Sequence, residues 1–476
     1  MSQGHTPPRR PVIKLLALAA ALLSACLPHA SAQTPQPQRE QLLNGLKILF
    51  VPRAGDGKVW MKLRVHTGAA FDLANREGTT ALLAELLFPD PSTPQYAREE
   101  LGGQLDVRTT YDSIDVTLGG NASDFERLAE LLRNAFLQMR LAPEDVLRLK
   151  SARIKALTDT AQTPAQLADR AVRARLFGAH PYARPVEGTP ASLARVERAD
   201  LMLARDRFLS PDNATLVVVG GVDPTRAMRT FRQLLGGWRK GDGLPPATFR
   251  QPDAPDPRTL VVPAPGATQA AVVVAVRGVA RSDKDRAAAT LLAPIVAQRW
   301  AASLNERGIS APFTVSHESY LLAGVFRMSA TVPVSSATSL IEAARAILSS
   351  LASRPITQSE LESARCTYLC VRNTSPLETY PFADAWLDSI TYGYNATADE
   401  QAMRSATVAD LQRVAARLFG EPKIAVAVAG DESQLRAALA GLPYGIEVAG
   451  AQNAPPTPAQ QTPAPKPTPQ PATRRP

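Results

Sequence analysis

The sequence predicts an α+β fold built from two similar halves, each an antiparallel sheet packed against helices. The first observation is a repeat: a strand ending at Gly68 leads through Asp72 into a helix, and a strand ending at Gly278 leads through Asp283 into another. The two glycines lie 210 residues apart, and self-similarity at a fixed offset indicates a duplicated unit. The second observation is that β-branched, alternating strands are interleaved with amphipathic helices, which favours a sheet covered by a helical layer.

The elements of the first half follow from residue periodicity. Alternation of apolar residues predicts strands, and apolar residues spaced at i, i+3 and i+4 predict helices. In order, they are strands 46–52 and 59–68, a helix at 77–88, a strand at 113–120, and helices at 124–139 and 143–160.

The ends of the two halves support the duplication. A helix opening at Ala199-Asp200-Leu201 has a counterpart at Ala409-Asp410-Leu411, again offset by 210 residues. Each is followed by a strand ending in glycine, at 215–221 and 424–430, and then by an acidic turn and an amphipathic helix, at 223–237 and 431–442.

Proline-rich stretches set the expected domain boundaries, because they cannot bury a core. Residues 33–40 are interpreted as a loose leader of the first half, and the final segment is expected to be disordered. The predicted units are a signal peptide at 1–32, the first half at 33–242, a linker at 243–258, the second half at 259–447 and a tail at 448–476.

The formal net charge of +9 does not indicate a nucleic-acid partner. The first 32 and the last 28 residues each carry three basic residues and no acid, which leaves +3 for the body of the chain. A nucleic-acid interface needs a clustered basic face, and aromatic residues, at 5%, are too sparse for stacking platforms.

The N-terminus predicts export to the periplasm. Arg9, Arg10 and Lys14 precede an apolar run that is too short to span a bilayer, and Ala30-Ser31-Ala32 offers a cleavage site. A competing signal, Leu23-Ser24-Ala25-Cys26, resembles a bacterial lipoprotein box in which Cys26 would be lipidated. No later segment holds eighteen uninterrupted apolar residues, so a lipid on Cys26 is the only membrane attachment expected.

Cys366 and Cys370 are the cysteines that remain after cleavage at residue 32. They lie at i and i+4 on a predicted helix and are interpreted as small buried side chains. An oxidising compartment also permits a disulfide. Zinc binding is disfavoured, because no His or third Cys lies nearby in sequence.

Many separate landmarks resemble the M16 family of insulinase- and pitrilysin-like zinc peptidases, in particular its M16B subgroup. The resemblance covers roughly residues 41–445. The matching landmarks, in order, are Asn44-Gly45, Gly68, Gly78, Phe88, Gly102-Gly103, His180-Pro181-Tyr182, Gly188-Thr189 and Gly220-Gly221. The resemblance implies two M16-type halves arranged as a clamshell around a peptide-binding chamber.

The family's zinc motif, His-x-x-Glu-His, is degenerate here. Its two histidines share one helix face and bind zinc, and its Glu is the general base. The ungapped match places Ala81 and Glu85 at the histidines and Ala84 at the Glu. The third ligand in the family is a Glu some seventy-odd residues further on, yet no Glu occurs between Glu144 and Glu187.

Other residues do not restore a metal site in the sequence. His66, His180 and His317 are the histidines of the mature chain, and none lies within four residues of another. The resemblance therefore implies a degenerate family member without a zinc cofactor and with no catalytic residues of its own.

A second family feature is also missing. Active M16 assemblies carry an Arg, and a Tyr seven residues later, that hold the substrate carbonyl and stabilise the oxyanion. Alignment on Arg307-Gly308 places Leu304 and Ala311 at these two positions.

The edge at which the family binds peptide corresponds to Gln104, Leu105, Asp106, Val107, Arg108 and Thr109. Strand addition uses backbone groups and so tolerates side-chain change. The alternative is a covered edge that only packs internally.

Three functions follow as alternatives. The first is a non-catalytic partner subunit that completes the peptide-binding chamber of an active M16 zinc peptidase, as a heterodimer. The second is a stand-alone periplasmic peptide-binding or scaffold protein, working alone or as a homodimer. The third is an active M16 metallopeptidase, which the missing ligands disfavour. No nucleophile elbow or phosphate loop indicates a replacement chemistry.

Overall fold

The computed structural model shows two six-stranded sheets, each covered by helices. It describes residues 37–160, 162–243, 249–250, 252–351, 353–373, 381–419 and 423–450. The predicted signal peptide with Cys26, part of the linker and most of the tail lie outside these residues. No described helix is long and apolar enough to cross a bilayer.

The first half runs from β1 to α8. Its strands are β1 (Gln38–Gln41), β2 (Lys47–Pro52), β3 (Lys58–Val65), β4 (Gln104–Thr109), β5 (Ile114–Asn121) and β6 (Ala214–Gly220). Its helices are α1 (Thr79–Glu85), α2 (Thr93–Glu99), α3 (Phe125–Leu137), α4 (Pro143–Asp159), α5 (Pro164–Phe177), α6 (Pro190–Arg195), α7 (Arg198–Phe208) and α8 (Pro224–Leu235).

The second half runs from β7 to β12. Its strands are β7 (Thr259–Pro263), β8 (Gln269–Gly278), β9 (Phe313–Ser319), β10 (Gly324–Pro333), β11 (Ala425–Gly430) and β12 (Ile446–Val448). Its helices are α9 (Arg286–Glu306), α10 (Ala337–Leu351), α11 (Gln358–Asn373), α12 (Pro381–Thr391), α13 (Ala396–Ser405), α14 (Val408–Leu418) and α15 (Glu432–Ala438).

The strand orders agree with a duplicated unit. The first sheet is ordered β1-β2-β6-β3-β5-β4 and the second β12-β7-β11-β8-β10-β9, so β2 to β6 correspond to β7 to β11. The sheets are mixed rather than wholly antiparallel, because β2 pairs parallel with β6 and β7 pairs parallel with β11 and β12. The central strands β6 and β11 come from late in each half and run parallel to β2 and β7, and the edge strand β12 adds a further parallel pair with β7. Local periodicity could not indicate these pairings.

Each sheet has a helical layer on one face. In the first half, the core joins the sheet to α3, α7 and α8 through fully buried residues such as Phe125, Leu201 and Phe231. In the second half, α9, α10 and α14 supply Trp300, Leu340 and Leu411. This confirms the predicted two-half α+β fold.

The opposite faces of the sheets are covered reciprocally. Helix α5 of the first half packs Ala168, Val172 and Leu176 against β8 and β11 of the second sheet. Helix α12 of the second half packs Trp386 and Leu387 against β2 and β6 of the first. Each half therefore covers the second sheet face of the other, and the two halves share a hydrophobic core at each of these contacts.

The predicted leader, linker and tail each contain some described structure. The last three residues of the expected loose leader belong to β1, and the first residue of the expected tail belongs to β12. Within the linker, the carbonyls of Pro252 and Asp253 accept hydrogen bonds from Arg277.

Cys366 is exposed on α11, so its interpretation as a buried residue was wrong. Apolar spacing placed it on a helix but did not indicate which face is covered. The side chain of Cys370 lies outside the described part of the chain.

Candidate peptide-binding chamber

Two adjoining cavities lie between the halves. One, of about 820 Å³, is bounded by α1, by the end of β4 and by β9 and α12 of the second half. The other, of about 890 Å³, is bounded by α5 and by strands β8, β9 and β10. Tyr111, Val186 and Glu187 line both cavities, and we call the combined space the chamber.

Strand β4 is an edge strand at the chamber. It pairs with β5 and has no strand on its other side within the described residues. Thr110 donates its backbone N–H to Ser113, so alternation along an antiparallel ladder turns the N–H and C=O of Leu105, Val107 and Thr109 away from β5. Val107 and Thr109 also line the chamber. The predicted segment 104–109 is therefore an edge strand with outward backbone groups.

The residues aligned with the zinc motif share the chamber-facing side of α1. Ala81, Ala84 and Glu85 all line the chamber, at the i and i+3/i+4 spacing that brings side chains together on a helix. Asp72 fixes the start of the helix by accepting the N–H groups of Gly78 and Thr80 at 2.8 and 2.9 Å. Burial raises the pKa of this carboxyl to about 6, although those hydrogen bonds act in the opposite direction.

Glu85 forms an ion pair with Arg153 of α4. Arg153 also donates to the carbonyl of Glu187 at 3.1 Å, and its side chain is only 14% exposed. Burial raises the pKa of the Glu85 carboxyl above its usual value, and the guanidinium beside it opposes that shift. The guanidinium of Arg153 therefore lies beside Glu85, which is the one carboxylate among the three aligned positions on this face of α1.

This arrangement does not fit zinc. The methyl groups of Ala81 and Ala84 offer no lone pair, and the remaining carboxylate already binds a guanidinium. Among the described side chains, no three His, Cys, Asp or Glu groups lie close enough to share a metal ion. Zinc sites in hydrolases use three protein ligands and an open position, and this donor set supplies one carboxylate.

Buried ion pairs join the wall of the chamber to α12. Arg64 donates to both carboxylate oxygens of Asp115, at 2.6 and 2.7 Å, and to Asp388 at 2.6 Å. Burial alone would raise the pKa of Asp115, but Arg64 and Lys62 hold it below its usual value. Lys62 also reaches Asp384 on the same helix at 2.5 Å. These pairs fix one side of the chamber.

His66 makes a further link between the halves. Its ring nitrogens lie 2.9 Å from the hydroxyl of Thr391 on α12 and 2.8 Å from that of Thr215 on β6. Burial, with the nearby cations Arg64 and Lys47, lowers the pKa of His66 to about 3. The ring is therefore neutral at physiological pH and packed between β6 and α12.

An aromatic cluster and the buried carboxylate of Asp112 connect the two halves. Tyr182 donates to Asp112 at 2.9 Å, and the other oxygen of Asp112 accepts the N–H of Leu321 in the second half at 2.9 Å. The rings of Tyr111, Tyr182 and Tyr320 lie 5.1–5.3 Å apart. The Gly-Ala-His-Pro-Tyr turn, which includes Tyr182, thus has a structural role here.

Leu304 and Ala311, aligned with the family's Arg and Tyr, are not among the residues that line the chamber. Leu304 is 2% exposed within the core of the second half, and Ala311 packs against the same core. Neither side chain can bind a carbonyl oxygen, because both are hydrocarbon.

Comparison with known proteins agrees with this fold and site. Residues 49–190 match the family profile described as insulinase, peptidase family M16, and residues 195–367 match the profile described as the peptidase M16 inactive domain. The chain belongs to the M16 peptidase family. The two profiles span β2 to α11, and they include both α1 and α4, which carry the degenerate site.

Curated relatives of this M16 chain are named as zinc proteases. An uncharacterized zinc protease of Mycobacterium leprae is 27% identical over 207 residues, which is 42% of this chain and 46% of that protein. One of Mycobacterium bovis is 25% identical over 216 residues, or 44% of this chain and 49% of that protein. The chain therefore matches about half the length of these relatives.

Solved structures share the fold of this M16 chain. A protease from Helicobacter pylori superposes with a TM-score of 0.74 at 18% identity and covers 83% of this chain and 100% of its own. A peptidase M16 inactive domain from Pseudomonas fluorescens gives 0.73 at 19% identity, covering 83% and 98%. The periplasmic protease PqqL from Escherichia coli gives 0.69 at 15% identity, covering 85% of this chain and 49% of its own.

Sequence patterns did not identify the Arg153–Glu85 pair. A usable signal was present, because Arg153 lies 68 residues after Glu85, near the distance at which the family carries a third ligand. Two oppositely charged residues on separate helices are not linked by periodicity, however, so only the packing of α1 against α4 brings them together.

Proposed function

We propose that this chain is a non-catalytic M16 peptidase-like protein of the cell envelope that binds peptides in its chamber and serves as partner subunit of a zinc-bearing M16 chain. The observation that carries the proposal is the Arg153–Glu85 ion pair on the helix face of Ala81 and Ala84, beside the outward backbone of β4. Ala81, Ala84 and the ion-paired Glu85 beside this edge do not supply the ligands and base of the family's zinc motif, so the site supports binding of a peptide rather than its cleavage.

Strand addition is the binding mode that this edge supports. An extended peptide can form backbone hydrogen bonds with Val107 and Thr109, whose N–H and C=O groups point away from β5. Such binding depends on the backbone of β4 rather than on its side chains, so it does not require the family's zinc ligands, whose aligned positions here hold Ala81 and Glu85.

The strand model has a direct test. Val107→Pro removes one outward N–H while leaving the β4–β5 ladder its hydrogen bonds, because the N–H of Val107 does not point to β5. Val107→Thr, the matched control, keeps the backbone donor. We expect Val107→Pro to weaken peptide binding, measured by fluorescence anisotropy, while Val107→Thr binds as the parent does. Equal binding by both folded variants would rule out β4 as the edge.

The partner role is tested by reconstitution. Stable complexes typically bury about 1,600 Å² in total. We expect an M16 chain with an intact His-x-x-Glu-His motif, encoded beside this one, to co-elute with it and to gain peptidase activity. If the two chains elute separately and activity is unchanged, the stand-alone peptide-binding or scaffold function replaces the partner role.

A further inference from the structure

More basic than acidic side chains line the chamber, and most of the acidic ones already belong to ion pairs within the protein. Nine basic side chains face it against seven acidic ones among the described residues. Most of the acids are held in ion pairs: Asp115 by Arg64, Glu85 by Arg153, and both Asp169 and Glu318 by Arg173. A charged ligand can therefore interact with the few charged side chains that form no ion pair among the described residues.

Three arginines belong to that set. Within the described residues, no carboxylate lies within ion-pair distance of Arg108 on β4, Arg170 on α5 or Arg184 after the aromatic cluster. Arg184 donates one N–H to the carbonyl of Asp72 at 2.8 Å, and its charge opposes the rise in the pKa of the Asp72 carboxyl, although the two side chains form no ion pair. Glu187 is the corresponding acid, since it is exposed and its carboxylate has no ion-pair partner in the same part of the chain. The unpaired charge of the chamber is therefore positive.

Arg108 is placed to act on a bound strand. Its register partner on β5 is Asp115, whose two oxygens already accept the hydrogen bonds of Arg64. Side chains on a strand added beside β4 would lie about 5 Å from those of β4 at directly opposed positions. A carboxylate on such a strand comes within reach of the Arg108 guanidinium, and a longer peptide meets Arg170 and Arg184 in the adjoining cavity.

We infer that the chamber selects acidic peptides, and that Arg108, Arg170 and Arg184 determine this specificity. The inference rests on the proposed function, in which β4 binds the peptide backbone. Backbone pairing supplies affinity that is independent of sequence, and the unpaired arginines add a preference for Asp and Glu side chains over Lys and Arg. The preference is electrostatic, so it weakens as ionic strength rises.

The test compares labelled peptides of about ten residues in which valine alternates with glutamate, glutamine or lysine, a pattern that keeps strand propensity constant. We expect the glutamate peptide to bind about tenfold more tightly than the lysine peptide at low salt, with glutamine between them. Arg108→Gln and Arg170→Gln should each reduce that ratio by about threefold. Arg229→Gln, the same charge change on the exposed outer surface of α8, should leave it unchanged.

The outcomes separate the two proposals. If all three peptides bind equally, or if the lysine peptide binds best, the chamber still binds peptide but the inferred selectivity is wrong. If none binds to the folded protein, peptide binding itself fails. If Arg229→Gln lowers the ratio as much as Arg170→Gln does, the preference comes from net charge, and the assignment of the chamber arginines is wrong.

Discussion

Rebuilding a zinc site should require the removal of Arg153. The perturbation is the triple substitution Ala81→His, Ala84→Glu and Glu85→His, made with and without Arg153→Glu. In the parent chain the guanidinium of Arg153 binds the carboxylate of Glu85, so in the triple variant it lies next to the rebuilt pair of histidines. Arg153→Glu exchanges that cation for an oxygen donor on the same helix.

The magnitude follows from Coulomb's law. A divalent ion about 4 Å from a unit positive charge is disfavoured by about 8 kcal/mol at an effective dielectric constant of about 20. Water lowers this figure, because the Glu85 side chain is 41% exposed. A residual penalty of about 3 kcal/mol corresponds to roughly 100-fold in the dissociation constant for zinc.

The assay is isothermal titration of zinc into chelator-treated protein. We expect the quadruple variant to bind zinc at least about 100-fold more tightly than the triple variant. Lys155→Glu in the triple background is the matched control: it makes the same charge change on α4 at a side chain that is 75% exposed, and it should not restore binding. Tight binding by the triple variant alone would refute the idea that Arg153 excludes the metal.

Two further predictions follow from the structure, and a third follows from the N-terminal sequence. Leu387→Ala should lower the free energy of unfolding by about 2–5 kcal/mol, because this fully buried side chain joins α12 to the first sheet. Leu147→Ala, the control at a side chain that is 66% exposed, should change that free energy by less than about 0.5 kcal/mol. Urea unfolding measures both values. His66→Gln should reduce the loss of stability in acid. The pKa of His66 is about 3 in the folded chain and near 6.5 in the unfolded chain, so between these values the unfolded state binds the extra proton. The free energy of unfolding of the parent should therefore fall by about 1.4 kcal/mol per pH unit more than that of the variant, and equal slopes would contradict this expectation. Mass spectrometry of the mature N-terminus distinguishes the two export routes, since a lipidated Cys26 indicates a membrane-anchored protein and an unmodified chain beginning at Gln33 indicates a free periplasmic one.

The sequence predicted those features that depend on local periodicity. Alternation and β-branching over residues 46–52 predicted a strand, and β2 (Lys47–Pro52) lies there. The repeat at 210 residues anticipated two sheets with corresponding strand orders. Both are encoded by residues close in sequence, or by the same pattern occurring twice.

Contacts between distant elements were not predictable in this way. The spacing of Ala168, Val172 and Leu176 marks an apolar helix face, but it does not indicate that the face covers the sheet of the other half. Similarly, no pattern associates Arg64 with Asp388, which lies 324 residues later in the chain. Such pairings depend on how the two halves dock.

The most direct measurement of the central claim is the zinc content of the purified chain, determined together with its hydrolysis of a labelled peptide library. We expect zinc well below one equivalent per chain after dialysis, and no cleavage that depends on added metal. One tightly bound zinc per chain, lost on Glu85→Gln together with chelator-sensitive cleavage, would contradict it and make this M16 chain a peptidase in its own right.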